Sequence, residues 1–191
     1  MLKLAVFVCL VVLCAAQTPT RPNIPETFIS QSNVDLHRGA SETLFGKGSI
    51  GRDMSTNEGM ELTMFVDADK NNLTFEFLER YDKGMEYIIR NENDDNHCEP
   101  IKRTGSLPPY WGWVQQATYV GKMMQKHVEL DKWEFSAGGT RLEVGVSESD
   151  PNTPHYFARR MPTEVIMFEI LIFNATAPSA SIFNVPSECS A

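Results

Sequence analysis

The chain has 191 residues and a net charge of −8, with 17 lysine and arginine residues scattered along it. This balance argues against nucleic acid as a partner, because phosphate binding needs clustered basic side chains. The length suits one domain with a substantial hydrophobic core.

The N-terminus has the pattern of a secretory signal peptide. Lys3 precedes an unbroken apolar run, and small residues end this run at Ala16. A signal anchor that stays in the bilayer is the alternative, but the run is shorter than the ~20 apolar residues that a membrane helix needs. We predict a cleaved signal over residues 1–16 and a secreted, extracellular protein, with the lysosomal lumen as a second location.

Residues 17–41 are predicted to be an extended N-terminal segment. Pro19, Pro22 and Pro25 lie close together in it, which is typical of poorly ordered chain. The domain proper is predicted over residues 42–191, because patterns typical of strands begin near Glu42.

The first clear pair of strands is a hairpin. Glu61–Val66 and Leu73–Glu79 alternate in polarity and flank a turn rich in Asp and Asn. The turn opens like a calcium loop, but position 72 is Asn and position 78 is Leu, where an EF-hand has Gly and Glu. We therefore predict a hairpin turn.

Alternating apolar residues predict six later strands. They are Gly84–Arg90, Ala117–Met124, Lys126–Phe135, Arg141–Ser147, His155–Met161 and Val165–Phe173. The last is apolar on both faces, so we place it centrally in the sheet. The pattern predicts a mostly β protein with antiparallel strands, and it does not separate a sandwich from a barrel or an open curved sheet.

Two segments are predicted to lie outside the strands. Asn91–Pro109 is read as a long polar loop, and its acidic start at 91–96 is a candidate for loose calcium binding, with a solvated loop as the alternative. Ala177–Phe183 is predicted to form one short helix near the end of the chain.

Cys98 and Cys189 are the cysteines that remain once the signal has left. An even number in an oxidising compartment predicts a disulfide between them. Two free thiols or an intermolecular bridge are the alternatives.

Two glycosylation sequons follow the predicted signal. They start at Asn72 and Asn174, and neither has proline in the middle position. We predict a glycan on at least one of them.

No segment carries a recognisable catalytic or metal-binding motif. There is no nucleophile elbow, phosphate-binding loop or dinucleotide fingerprint, and no Cys-x-x-Cys or His-Glu-x-x-His. The four histidines fall in separate segments, and His97-Cys98-Glu99 is a poor ligand cluster if Cys98 is bridged. We predict no enzyme activity, no catalytic residue, no metal site and no cofactor, with an unrecognised hydrolase as the alternative.

Methionine and aromatic side chains recur in the predicted strands. Flexible thioethers suit an adaptable apolar site, but an ordinary core has the same composition. Both interpretations stay open on composition alone.

Several short motifs together resemble the ependymin-related family of secreted glycoproteins. The motifs are the hairpin over 65–75, Glu86-Tyr87-Ile88-Ile89 leading to Cys98, Trp133, Pro154-His155-Tyr156, Glu164–Phe173, and the closing Phe183-x-x-Pro186-x-x-Cys189. The resemblance covers residues 42–189. Members of that family carry further cysteines, so the full disulfide pattern of the family is not expected here.

The resemblance implies a fold like that of the bacterial lipoprotein carrier, which is called LolA-like. Such a fold is a strongly curved antiparallel sheet that forms a half-open barrel with a few short helices. The resemblance also implies a hydrophobic pocket on the concave face, a lipid or fatty-acyl ligand, sensitivity to calcium, and homodimers.

We take as candidate lining residues the large apolar side chains of the predicted strands. They are Met64, Phe75, Phe77, Tyr87, Ile89, Tyr119, Met123, Val144 and Met167. Residues two apart in a strand share a face, but the sequence does not show which face is concave. The competing hypothesis is a matrix or signalling glycoprotein in which these side chains form an ordinary core.

Overall fold

The computed structural model describes residues 19–39, 42–66, 72–92 and 95–189. The predicted signal peptide, the turn over 67–71 and part of the acidic start of the predicted loop lie outside these residues. The described strands are β1 Phe28–Arg38, β2 Glu42–Asp53, β3 Glu58–Val66, β4 Asn72–Arg80, β5 Met85–Glu92, β6 Asp95–Lys102, β7 Thr118–Gln125, β8 Val128–Ala137, β9 Thr140–Ser147, β10 Asp150–Arg160 and β11 Glu164–Asn174.

These eleven strands form one antiparallel sheet in the order β6-β5-β4-β3-β2-β1-β11-β10-β9-β8-β7. The sheet consists of two meanders, β1–β6 and β7–β11, and the pairing of β1 with β11 joins them. The sheet is not closed, since within the described chain β6 and β7 are its two edges. The predicted antiparallel β architecture is confirmed, and so is the central place of the strand over Val165–Phe173.

The sheet is strongly curved. Arg159 in β10 forms an ion pair with Glu61 in β3, with 2.9 Å between Nη2 and Oε1. These strands are four places apart, which is roughly 19 Å across a flat sheet. Two side chains meet over that span because the sheet curls, and the face that carries them is therefore the concave one.

The N-terminal segment differs from its prediction. Phe28–Arg38 is not an extended entry but β1, which pairs with both β2 and β11 in the middle of the sheet. Ser30 and Ser32 occupy buried positions on the concave face, where an alternating strand normally has apolar residues. These two serines interrupt the apolar alternation that identifies a strand. The predicted boundary between an N-terminal segment over 17–41 and a domain from residue 42 is therefore wrong, because β1 belongs to the domain.

The predicted loop over Asn91–Pro109 also differs, because β5 extends to Glu92 and Asp95–Lys102 forms β6. This strand is polar on both faces and contains Pro100. Edge strands tolerate proline and need no buried face. The pattern that reveals an inner strand is therefore missing from β6.

The connection from β6 to β7 packs into the concave side of the sheet. Its 3-10 helix, Gly112–Gln116, buries Val114, and Leu107 and Trp111 are buried beside it. The ring of Trp111 lies 5.4 Å from that of Phe157 in β10 and 5.9 Å from that of Phe28 in β1. Together these side chains fill the concave face of the β7–β11 meander.

The C-terminal segment covers the convex face of β3, β4 and β5. Its 3-10 helices span Ala180–Phe183 and Ser187–Cys189, so the predicted helix is shorter than expected. Phe183 is buried against Met60, Leu78 and Ile89. The predicted disulfide is confirmed: Cys98 in β6 is bonded to Cys189, with 5.4 Å between the two Cα atoms. This bond ties the last turn of the chain to an edge strand.

Within the four described ranges, no helix has the length and apolar character needed to cross a membrane.

Candidate ligand-binding cavity

The concave face of the sheet is open over β2 to β5, where it borders a cavity of about 590 Å³. Both meanders contribute to the walls, and the β6–β7 connection closes one side. The lining residues are Leu36, Arg38, Arg52, Glu61, Thr63, Phe65, Phe75, Phe77, Glu79, Glu86, Pro108, Pro109, Tyr110, Arg159, Met161, Glu164 and Ile166.

One wall of the cavity is aromatic. Phe75 and Phe77 are two apart in β4, so both point to the concave face. Phe65 joins them from β3, because Phe65 pairs with Leu73 and Thr63 pairs with Phe75 in the same ladder. Leu36 and Ile166, which pair across β1 and β11, form the facing apolar surface. A chain of apolar atoms placed between these walls is shielded from water.

The remaining wall carries charged side chains in ion pairs. Glu61 accepts hydrogen bonds at both oxygens, from Arg159 Nη2 at 2.9 Å and from Tyr110 Oη at 3.0 Å. Arg52 is paired with Glu79. At the margin, Arg38 Nε lies 2.9 Å from Glu164 Oε2, and Arg103 Nε lies 2.7 Å from Glu86 Oε2.

Burial changes the titration of these groups. It raises the pKa of the Glu79 carboxyl, although the charge of Arg52 acts in the opposite direction. Burial, together with the charge of Glu61, raises the pKa of the Tyr110 hydroxyl well above its ordinary value. The negative charge of Glu61 raises the pKa of Arg159. Tyr110 and Arg159 thus remain hydrogen-bond donors to Glu61 at every physiological pH.

The predicted lining residues fall on both faces of the sheet. Phe75 and Phe77 line the cavity. Val144 and Tyr119 also belong to the concave side, but Val144 is buried in the packed core and the Tyr119 ring lies 5.5 Å from that of Trp133. Neither of these two contributes to the cavity wall.

The other five predicted lining residues lie on the convex face. Tyr87 and Ile89 pack under the C-terminal segment. Met123 and Met167 pack against Leu130, Tyr156 and Ala158 on the opposite meander. Met64 is 47% exposed and alternates with the cavity residues Thr63 and Phe65. The structure therefore does not bring the predicted set together.

Sequence reasoning missed the polar wall. Glu61 and Arg159 come from strands that are far apart in the chain, and Tyr110 follows the segment predicted as loop and was assigned to no element. The usable signal was register, because a hairpin centred on 67–71 places Glu61, Thr63 and Phe65 beside Phe77 and Phe75. The sequence therefore predicts that the aromatic side chains of β3 and β4 share one face of the sheet. It does not predict which charged side chains lie opposite them.

The described structure also places the candidate metal ligands and the glycan acceptors. Among the residues with described positions, no three His, Cys, Asp or Glu side chains are grouped so as to hold a metal ion. Asn72 and Asn174, which begin the two sequons, are both exposed.

Comparison with known proteins gives little similarity. The chain matches no protein-family model and no curated protein sequence. A solved structure of the MucA/MucB complex of Pseudomonas aeruginosa matches with a TM-score of 0.36 and 11% identity, over 86% of this chain and 58% of that one. The present chain thus spans little more than half of that neighbour.

A LolA superfamily protein of Nitrosomonas europaea matches with a TM-score of 0.35 and 6% identity, over 86% of this chain and 93% of that one. With TM-scores of 0.36 and 0.35, these two matches do not establish the fold or the function of the present chain.

Proposed function

We propose that this protein is a secreted glycoprotein that binds a hydrophobic ligand, a lipid or another compound with an acyl chain, in the cavity on its concave face. The observation that carries the proposal is the aromatic wall of Phe65, Phe75 and Phe77 beside about 590 Å³ of unfilled space. Small-molecule sites typically have roughly 300–1,000 Å³ and mostly apolar walls. The sheet is then a half-open barrel whose interior is the binding site.

Binding in this cavity is driven by burial of apolar surface. Each CH₂ group removed from water contributes about 0.8 kcal/mol. The wall does not have to form around the ligand, because the Arg159–Glu61 ion pair spans the concave side between β10 and β3. This pair acts as a strut that holds the two meanders at a fixed separation.

The paired carboxylates support binding rather than catalysis. Glu61 accepts hydrogen bonds from Arg159 and Tyr110, and Glu79 is engaged by Arg52. A general base needs an oxygen that is available to the proton it abstracts. In the described part of the cavity wall, Glu61 and Glu79 serve to position their partners.

The test is binding of an uncharged apolar fluorophore, N-phenyl-1-naphthylamine, to the purified protein. We expect saturable binding by the wild type and at least a tenfold weaker Kd for Phe77→Glu, which should remain folded at the assay temperature, because a charge in the cavity opposes apolar burial. Met64→Glu is the matched control, since it places the same charge on the neighbouring strand but on the convex face.

A wild type without saturable binding would contradict the proposal and favour a matrix or signalling glycoprotein. Equal loss of binding in Phe77→Glu and Met64→Glu would place the binding site elsewhere.

A further inference from the structure

The charges that line the cavity are balanced pair by pair. Among the described residues, each arginine of the cavity wall faces a carboxylate: Arg38 faces Glu164, Arg52 faces Glu79, and Arg159 faces Glu61. The fourth lining carboxylate, Glu86, is paired with Arg103. The wall therefore offers no cation that lacks a carboxylate partner.

This balance disfavours an anionic ligand. A carboxylate that enters an apolar space loses hydration, which is costly unless a cation compensates it. Here each candidate cation is already neutralised by a neighbouring glutamate, so a fatty-acid anion meets four lining carboxylates without a free counter-charge. An uncharged ligand with the same acyl chain gains the same apolar burial without that cost.

One polar group in the wall does lack a partner. Arg52 is 3% exposed, and its Nε has no hydrogen-bond partner among the described residues. The rest of its guanidinium is engaged, because Nη1 contacts Glu79 and Nη2 donates to the Pro108 carbonyl at 2.6 Å. A buried donor without an acceptor costs about 1–3 kcal/mol, and an acceptor supplied by a ligand removes that cost.

The guanidinium is also packed against an aromatic ring and a glycine. Its Cζ lies 5.4 Å from the ring centroid of Tyr110. Gly59, which pairs with Arg52 across β2 and β3, leaves room for it, since an added β-carbon there would lie 2.7 Å from Nη1. A guanidinium fixed in this way presents its N–H groups in one plane.

Building on the proposed function, we propose that the cavity selects an uncharged amphiphile, an acyl chain that ends in a hydroxyl or ester group, over the corresponding fatty-acid anion. The acyl chain lies against Phe65, Phe75 and Phe77, and an oxygen of the polar end accepts a hydrogen bond from Arg52 Nε.

The test compares three competitors of one chain length: decanoate, its glycerol monoester, and decane. Each displaces N-phenyl-1-naphthylamine from the wild type at about pH 8, where a carboxyl group is ionised. We expect the monoester to bind at least tenfold more tightly than decanoate, and also more tightly than decane, which has no oxygen for Arg52.

One variant is expected to weaken the preference of the cavity for the monoester over decanoate. Glu164→Gln removes the carboxylate partner of Arg38 at the margin of the cavity, where the two side chains are 28% and 34% exposed. We expect it to improve decanoate binding about tenfold relative to monoester binding, so that the ratio of the two affinities is the readout. Glu129→Gln is the control, because it makes the same charge change at an exposed pair with Lys122 in β7 and β8.

The outcomes separate the two proposals. If decanoate binds the wild type as tightly as the monoester, the selectivity for uncharged ligands is wrong while the binding function stands. If decane equals the monoester, Arg52 does not act as the donor. If the fluorophore itself does not bind, the binding function fails and the selectivity falls with it.

Discussion

The two meanders of this sheet present similar alternating strands to the concave side, but β7–β11, the filled meander, is packed more closely than β2–β5, the open meander. Over β7–β11, the rings of Trp111, Phe157 and Phe168 pack against one another, with 5.4 Å between the Phe157 and Phe168 centroids. Over β2–β5, Phe75 and Phe77 are only partly buried beside a cavity, although Phe65 next to them is buried in the core. The difference arises from the β6–β7 connection, which places Trp111 over one meander and only Pro108, Pro109 and Tyr110 beside the other.

This contrast shows that the alternation of side chains along a strand does not determine whether the face they share is packed against other side chains. Alternation determines which side chains share a face. Whether that face is core or cavity depends on an irregular segment that is distant in the chain. A side chain in the filled meander therefore contributes to stability mainly through packing, whereas Phe75 and Phe77 in the open meander border the proposed ligand site.

The largest expected effect is on packing in the filled meander. Phe157→Ala removes a ring that contacts Tyr110, Trp111 and Phe168. We expect it to lower the free energy of unfolding by about 3–5 kcal/mol, as measured by urea denaturation. Phe77→Ala in the open meander is expected to cost less than half as much, because space already exists beside it. Equal costs would mean that the two meanders do not differ in packing.

The disulfide should affect the open meander selectively. It closes a loop between residues 91 positions apart, so Cys189→Ser is expected to lower the free energy of unfolding by about 2–5 kcal/mol. Hydrogen exchange should increase around Met60 and Leu78, which lie under the C-terminal segment. Protection in β8 to β10 should be unchanged, and a uniform loss of protection would contradict this assignment.

The pKa values of two glutamates, the buried Glu143 and the partly buried Glu79, are shifted in opposite directions. Glu143, on the convex face of the filled meander, is fully buried; burial acts to raise its pKa, but hydrogen bonds from Arg160 and Lys132 outweigh burial and lower it. A lowered pKa stabilises the fold above the unfolded-state value, near pH 4.5, and this stabilisation is lost as the pH falls towards the folded value. Burial raises the pKa of Glu79, so its ionisation works against folding as the pH rises through that raised value.

Glu143→Gln is therefore expected to lower the free energy of unfolding by about 1.5–3 kcal/mol at neutral pH, since it removes hydrogen bonds between charged groups. The difference from wild type should shrink once the pH falls below 4.5, the ordinary pKa of the carboxyl. Thermal melting over a pH series measures both quantities. A difference that stays constant into acid would show that the carboxylate charge of Glu143 is not the stabilising feature.

The smallest effect is expected on the convex side of the open meander. Met64 is exposed there, so Met64→Glu should change the free energy of unfolding by less than about 0.5 kcal/mol. Urea denaturation alongside Phe77→Glu checks whether the two faces of these strands differ as described.

The sequence allowed the prediction of the hairpin of β3 and β4, the central place of β11 and the bond between Cys98 and Cys189. It did not reveal β1, because Ser30 and Ser32 interrupt the inward apolar pattern, and it did not reveal β6, because an exposed edge strand has no such pattern. Side-chain size was a poor guide to the cavity: Met64, Met123 and Met167 are large and apolar, but they lie on the convex side. The face of each strand depends on register and curvature, which are set by pairing across the whole chain.

The joining of β1 to β11 has a consequence for how the protein is made. Within each meander, neighbouring strands are consecutive in the chain, so their hairpins can form as soon as they are synthesised. The junction is different, because Asn33 and Glu169, whose side chains are hydrogen-bonded across it, are 136 residues apart. Closing so long a loop is the slow step expected of folding. Leu36 and Ile166 face each other at this junction and line the cavity, so the cavity of a nascent chain is complete only when β11 has been synthesised.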